Sequence, residues 1–530
     1  MGGHGDAAGV WRRGAAAAVV PCSVAVREVV AEAAKGSSWS PGCALGAVAG
    51  RKRRLLARAS AALALALGLA SLVLVARAPA LPPLAFLPGP SSAGGRLGLL
   101  AASPPPGAQR GPTLVGRTPA AAAVATAAGP RAGEAARPSR GDGDVPFFLS
   151  EVRAALPQEL FVPDEGQFLQ HVAVDYLRIA ALAALGAAAI PASDYNPLVI
   201  AVYALLQGTL FVGPWELGHQ CNHGAFSSER WANDLLGAWL HTTLLMPYWS
   251  WQYSHAHHHK WPNHVHEGEG ACPKVAGVGG RSSGMDRLEA ALLEVGPEAW
   301  AVVHLLIVLV LGWWGYIFFG VSGAPAWGEK GSSLFFAPNG MFPADRVKRL
   351  EQHRLSLLLL SAWVACLAAA AWAWSPALVG ALYVAPYLVC NMWLIVIVLL
   401  QHTKEDLPHF GSGERYAPDA RPFTLERGVF YGTVDRLGYG WLGSELHHEA
   451  GKYHVLHHLF PQIPFFKARA GTEALDRFLA SRGCSHLRQV DETPLPQALW
   501  EVGLLQREVS YSPTTGDYRY LVAGRPVAEP

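Results

Sequence analysis

The sequence predicts an all-α integral membrane protein: two transmembrane hairpins making four crossings, interfacial helices, and a histidine-rich helical cap. Three observations carry that expectation. Of 530 residues, 51% are hydrophobic and only 15% charged, with 18 Trp, a balance foreign to soluble multidomain chains. Several apolar runs approach the ~20 residues that a helix needs to cross a bilayer. Three histidine boxes lie beside those runs: His219-Gln-Cys-Asn-His223, His255-Ala-His-His-His259 and His454-Val-Leu-His-His458.

Residues 1–145 form a low-complexity leader rich in Ala, Gly, Pro and Arg. Arg51-Lys-Arg-Arg54 precedes an apolar run from Ala59 to Ala76, the pattern of a secretory signal or anchor. Arg77 to Arg140 is poor in acids, as transit peptides are. Together they resemble the two-part presequence of proteins sent to a secondary plastid, with Ala85-Phe-Leu-Pro88 at the internal cleavage point. A plastid membrane is the expected location and the endoplasmic reticulum the alternative. A plain disordered leader with one anchoring helix is the blander reading.

The folded domain is expected over 146–530. Spans are expected at about 172–192 and 197–214, joined by a turn at Asp194 and Asn196. A second pair is expected at 355–374 and 377–400, separated only by Ser375-Pro376. The stretches 231–248 and 297–320 read as interfacial. Asn233, Asp234 and His241 break the first, and Trp313, Trp314, Tyr316, Phe318 and Phe319 crowd the end of the second. Parity supports this. Boxes that share a site must share a membrane face, so an even number of crossings separates box two from box three, and the 355–400 hairpin already supplies two. Arg346, Lys348 and Arg349 then lie on the box side, as cytoplasmic-type charge does.

Residues three and four apart share a helix face, so each box can aim two or three imidazoles at one point. A lone histidine pair is usually a surface feature; three boxes at span ends are not. Zinc is satisfied by four ligands. Eight boxed histidines suit two redox-capable ions better, with two non-haem irons as the expected cofactor. An alkyl C–H is not acidic, so acid–base groups cannot remove its hydrogen, whereas a redox metal with O2 can. An apolar cavity beside such a site points to a lipid chain. His257 is expected to point away, and His241 and His304 to pack in apolar segments. The seven cysteines are odd in number and scattered, which disfavours a disulfide framework. Nucleic acid is not an expected partner, for want of a basic stripe. A non-enzymatic histidine-rich metal transporter would need its ligands along the spans.

The boxes resemble those of membrane fatty acid desaturases, in particular the acyl-lipid delta-12/omega-3 group. Gly218-His-Gln-Cys-Asn-His-Gly-Ala-Phe-Ser227 is similar to the family's first box, with Gln220 where an acid is usual and Asn222 where a Gly is usual. Tyr253-Ser-His-Ala-His-His-His259 is similar to the second. His454-Val-Leu-His-His-Leu-Phe-Pro-Gln-Ile-Pro464 is close to the third box of omega-3 desaturases. Ser333-Leu-Phe-Phe-Ala-Pro338 and Thr433-Val-Asp-Arg436 share the likeness. The resemblance implies O2-dependent desaturation of lipid acyl chains, with omega-3 ahead of delta-12; a lipid hydroxylase or acetylenase is the nearest rival. It implies metal ligation by His219, His223, His255, His258, His259, His454, His457 and His458. It adds His402 in Leu400-Gln-His-Thr403 as a ninth ligand, and His448 and His264 as additional or supporting residues. No His-Pro-Gly-Gly motif occurs, so electrons are expected from a separate partner, ferredoxin or cytochrome b5 with its reductase.

Overall fold

A computed structural model describes residues 145–270, 272–278, 284–411, 417, 420–522 and 525–526. The leader with its expected presequence, Val145 apart, lies outside the described residues. A short helix α1 (Leu149–Ala155) precedes the first hairpin. Asp164 opens α2 (Glu165–Ala192) by accepting the Gln167 N–H at 2.9 Å. The turn places Asp194 and Tyr195 at φ 52° and 58°. Asn196 then caps the Leu198 N–H at 2.9 Å, and Pro197 starts α3 (Pro197–Asn222) at its first turn. The second helix outruns the expected end at 214. Pro214 lies inside it, but Phe211 to Cys221 are buried without a break, and that packing carries the helix through box one.

Helix α4 (Arg230–Thr242) shows a single exposed stripe, Trp231, Leu235 and Trp239, opposite buried Asn233, Leu240 and His241. Box two rides on α5 (Tyr248–Lys260). After α6 (Gly284–Val295) comes α7 (Pro297–Phe319), closed by Gly320 in the left-handed region at φ 60°. The second hairpin is α8 (Val347–Ala373) and α9 (Pro376–His402), the latter with a π turn at Gly380–Val384. Five helices, α2, α3, α7, α8 and α9, are long and apolar enough to cross a membrane. The start of α7 is held to the tail, where the Trp300 indole donates to the Leu505 carbonyl at 3.1 Å. Its end is held to box two, where the Tyr316 and Ser254 hydroxyls meet at 2.6 Å.

The tail contains α10 (Leu425–Gly432), α11 (Gly440–Glu445), α12 (His454–Leu459), α13 (Phe465–Ser481) and α14 (Leu495–Leu504). It also contains strands, which the helical expectation did not include. β1 (Lys274–Val275), β4 (Glu508–Ser512), β5 (Asp517–Val522) and β6 (Arg525–Pro526) form one sheet in the order β1-β4-β5-β6. β2 (Asp435–Arg436) and β3 (Val490–Asp491) pair separately, in parallel. These strands are short, and the two-residue ones leave no period-2 pattern to read.

Two apolar clusters hold the parts together. One joins α3, α7 and α9 through Trp215, Trp251, Trp313, Ile317 and Leu394. The other seats the third box: Val455 and Leu456 of α12 pack on Phe430, Leu475, Phe478 and Phe147.

Candidate metal centre

The nine histidines expected as ligands converge, although they come from four elements. His219, His223, His255, His259 and His457 form one group, and His258, His402, His454 and His458 a second. Within each group the candidate ligand atoms lie within 4.8 Å of one another. The groups adjoin: the His259 and His458 rings stack at 4.1 Å between centroids.

Each group is assembled by helix geometry. His219 and His223 stand one turn apart at the end of α3, and His255, His258 and His259 share the inward face of α5. His402 is the last residue of α9, and α12 supplies His454, His457 and His458. His257 falls off that face; it sits 3.6 Å from Glu267 and packs on Trp327.

The nitrogens fit metal ions. His219 Nε2 and His255 Nε2 are 2.8 Å apart, His223 Nε2 and His255 Nε2 2.9 Å, and His402 Nε2 and His454 Nε2 2.8 Å. Two nitrogens bound to one ion at ~2.1 Å and about 90° stand ~3 Å apart. His458 has no partner at either ring nitrogen, and His457 none at Nε2, although both atoms are buried. Such orphaned acceptors are costly unless a cation receives them. Burial also keeps the rings neutral: it lowers His258 to about 4 and holds His255, His259, His454, His457 and His458 well below the ordinary imidazole value. Neutral imidazole is the form that binds metal.

Surrounding groups aim the rings. His258 Nδ1 donates to the Glu269 carbonyl at 2.7 Å, which leaves Nε2 free, and His255 stacks on Trp251 at 4.2 Å. Asp435 accepts the Val455 N–H at 2.8 Å at the start of α12. Arg436 donates to the Leu400 carbonyl at 2.7 Å and the Thr403 carbonyl at 2.8 Å, pinning the backbone on either side of His402. Two buried acids also bear on the site, Glu216 beside His219 and Asp175 beside His448. Sequence reasoning missed both. The signal for Glu216 was its i, i+3 spacing to His219. The partner of Asp175 is 273 residues away, beyond any local pattern.

The two supporting candidates lie outside both groups. His448 Nε2 pairs with Asp175 at 2.6 Å, both side chains buried. His264 Nδ1 accepts the N–H groups of His266 and Glu267 at 3.1 and 3.0 Å, closing the turn after α5. His241 donates to or accepts at the Trp215 carbonyl and stacks on that indole, as a packing residue would.

A cavity of about 1070 Å³, its open mouth included, runs along both groups. Trp215, Trp251, Trp313, Ile395, Ile397 and Phe460 line it together with His219, His255, His258, His454 and His457. Buried imidazoles that can hold two ions thus face an apolar slot.

A family model described as fatty acid desaturase matches residues 196–489. The chain is similar to the delta(12)-acyl-lipid-desaturase of Punica granatum, 32% identical over 358 residues, 67% of this chain and 84% of that protein. It is similar to the delta(12) fatty acid desaturase of Mortierella isabellina, 30% over 365 residues, 67% and 86% of the two chains. The oleoyl-12-hydroxylase of Ricinus communis is 31% identical over 357 residues, 67% of this chain and 84% of that one.

Proposed function

Because the chain belongs to the fatty acid desaturase family, and so is a membrane oxidoreductase that modifies fatty acyl chains, we propose that it inserts the delta-12 double bond into acyl chains of membrane lipids, using two non-haem irons held by its two histidine groups. The observation that carries this is the convergence of nine histidines beside an apolar cavity. The relatives' printed activities favour delta-12. The Leu459-Phe-Pro-Gln-Ile-Pro464 stretch, seated against the first helices of the domain, favours omega-3 as the second reading.

The irons, when bound, supply the O2-dependent removal of hydrogen from an unactivated alkyl carbon. The protein's part is placement. Trp215, Trp251 and Trp313 wall the slot and exclude water, so an alkyl chain enters by burying its own apolar surface. His255, stacked on Trp251, and His258, tethered to the Glu269 carbonyl, are fixed before substrate arrives.

The test is the fatty acid profile of a host fed oleate and linoleate separately. A diene made from oleate supports delta-12, and a triene made from linoleate supports omega-3. A hydroxylated product, as the Ricinus relative's name describes for that protein, would replace the desaturase reading. No altered fatty acid with either feed would defeat both.

Four crossings are part of the proposal, with α7 lying at the interface. Both its ends are anchored to parts of the metal-bearing cap, Leu505 in the tail and Ser254 on α5, which suits a helix that does not cross. A tag inserted at 340, between α7 and α8, is expected to be reached from the same membrane face as a C-terminal tag; protection on that face would refute it.

Electrons come from outside the chain, from ferredoxin in a plastid membrane or cytochrome b5 in the endoplasmic reticulum. Arg346 and Lys348 are exposed at the start of α8, and the Arg349 guanidinium lies 4.8 Å over Tyr253 of the box-two helix. This patch suits an acidic donor. Reversing the charge of Arg346 and Lys348 together is expected to slow turnover with the donor and to flatten its salt dependence; unchanged kinetics would exclude docking there.

A further inference from the structure

Among the buried acids that face the cavity, one lacks a cation to balance it. Glu216 lies one turn before His219 on α3 and is 5% exposed. Its Oε2 accepts a hydrogen bond from His219 Nδ1 at 2.9 Å. Among the described residues no Lys or Arg pairs with it. The other buried carboxylates here are answered. Glu269 accepts from the Ser254 hydroxyl, the Ala324 N–H and the Trp327 indole, at 3.1, 3.0 and 2.8 Å. Asp175 has His448 at 2.6 Å and Arg178 at 3.8 Å, and Asp435 has Arg488 at 2.7 Å. His448 shares the cavity wall with Glu216 but is engaged by Asp175. Cys390 and Tyr439, the other titratable groups near Glu216, bring no positive charge.

A neutral imidazole N–H satisfies one carboxylate oxygen but supplies no charge, and an unbalanced carboxylate is strongly disfavoured in a buried site. The same hydrogen bond places the proton of His219 on Nδ1. Its Nε2 lone pair then faces His223 Nε2 at 3.1 Å and His255 Nε2 at 2.8 Å. The second group has no such charge behind it, since His258 is oriented by a backbone carbonyl.

We propose that Glu216 is the counter-charge of the five-histidine group: a positioning residue that fixes the tautomer of His219 and whose burial is balanced only when that group holds a divalent cation. The two groups are therefore unequal, and the five-histidine group binds its ion more tightly. In the empty protein Glu216 is a burden; in the loaded protein it is a support. The inference rests on the metal reading proposed above.

The experiment uses the full chain, purified in detergent, stripped of metal and titrated anaerobically with ferrous iron. Iron uptake and thermal midpoint are read for the wild type, Glu216→Gln and Glu216→Asp. In Glu216→Gln, one of two bound equivalents is expected to weaken by ~10–100-fold, the range for partners of metal ligands. Its midpoint should fall in the loaded protein and stay level or rise in the metal-free protein. Glu216→Asp keeps the charge and should lose less affinity. Unchanged iron affinity in Glu216→Gln overturns the proposal. So does an equal loss of midpoint in both states, which a merely structural role would give. Failure of metal-free Glu216→Gln to fold counts against it too, because the substitution should relieve that state. A wild type that takes up no iron would instead defeat the metal reading itself.

Discussion

Replacing His458 by alanine is expected to abolish acyl modification and to lower the iron content of the purified protein. The His458 side chain is buried, with neither ring nitrogen partnered within the protein. It lies between the His402, His454 and His258 rings at centroid distances of 4.9, 4.4 and 5.0 Å. A ring in that position has one evident use, which is to give a lone pair to an ion. Its loss should exceed the ~10–100-fold that partners of ligands cost. His448→Ala is the informative comparison. His448 is as buried, yet its Nε2 is taken by Asp175. That variant should keep its iron and lose activity within the smaller range. Iron stoichiometry and fatty acid profiles of the two variants decide the matter. Equal iron loss in both would mean that the two groups do not bound the site.

Much of this arrangement was legible in the chain because it is written in helical spacing. Boxes at i, i+3 and i+4 declare a shared face without any tertiary knowledge. The hairpins were legible through Asn196-Pro197 and Ser375-Pro376, which stop one helix and open the next. His402 was different. A single histidine ending an apolar run is silent by itself, and only likeness to a family singled it out; the structure places it 2.8 Å from His454 by bringing the end of α9 to α12. Glu216 was hidden by its surroundings, since one acid in an apolar run reads as a blemish in a span. The length of α3 was misjudged because Pro214 reads as a stop, whereas burial on all sides overrode it. The tail strands carried no usable period. β1 pairs with β4 across more than 230 residues, a contact that local pattern does not encode.

Arg436→Ala is expected to cause the largest loss of stability among the substitutions considered, and through it a loss of iron. The guanidinium is spent on partners from three parts of the chain. It donates to the Leu400 and Thr403 carbonyls, either side of His402, and to the Asp491 carboxylate on the neighbouring strand. The Arg436 and Asp491 side chains are 3% and 4% exposed. Removing one partner of a buried ion pair costs roughly 3–5 kcal/mol, because the other charge is left stranded. Here two carbonyls at the end of α9 lose their donor as well, at a further ~1–3 kcal/mol each when buried. Asp435, the preceding residue, holds the first N–H groups of α12. Slippage of this two-residue strand would therefore move His402 and the third box together. Arg436→Lys should rescue little, since an ammonium cannot span three acceptors with the fixed fork that guanidinium provides. The thermal midpoint of purified Arg436→Ala should fall well below that of His458→Ala when both are measured without metal, because only the first substitution damages the scaffold. If the two midpoints coincide, the clamp is ornamental, and the third box is held in place by the apolar bed of Phe430, Leu475 and Phe478 alone.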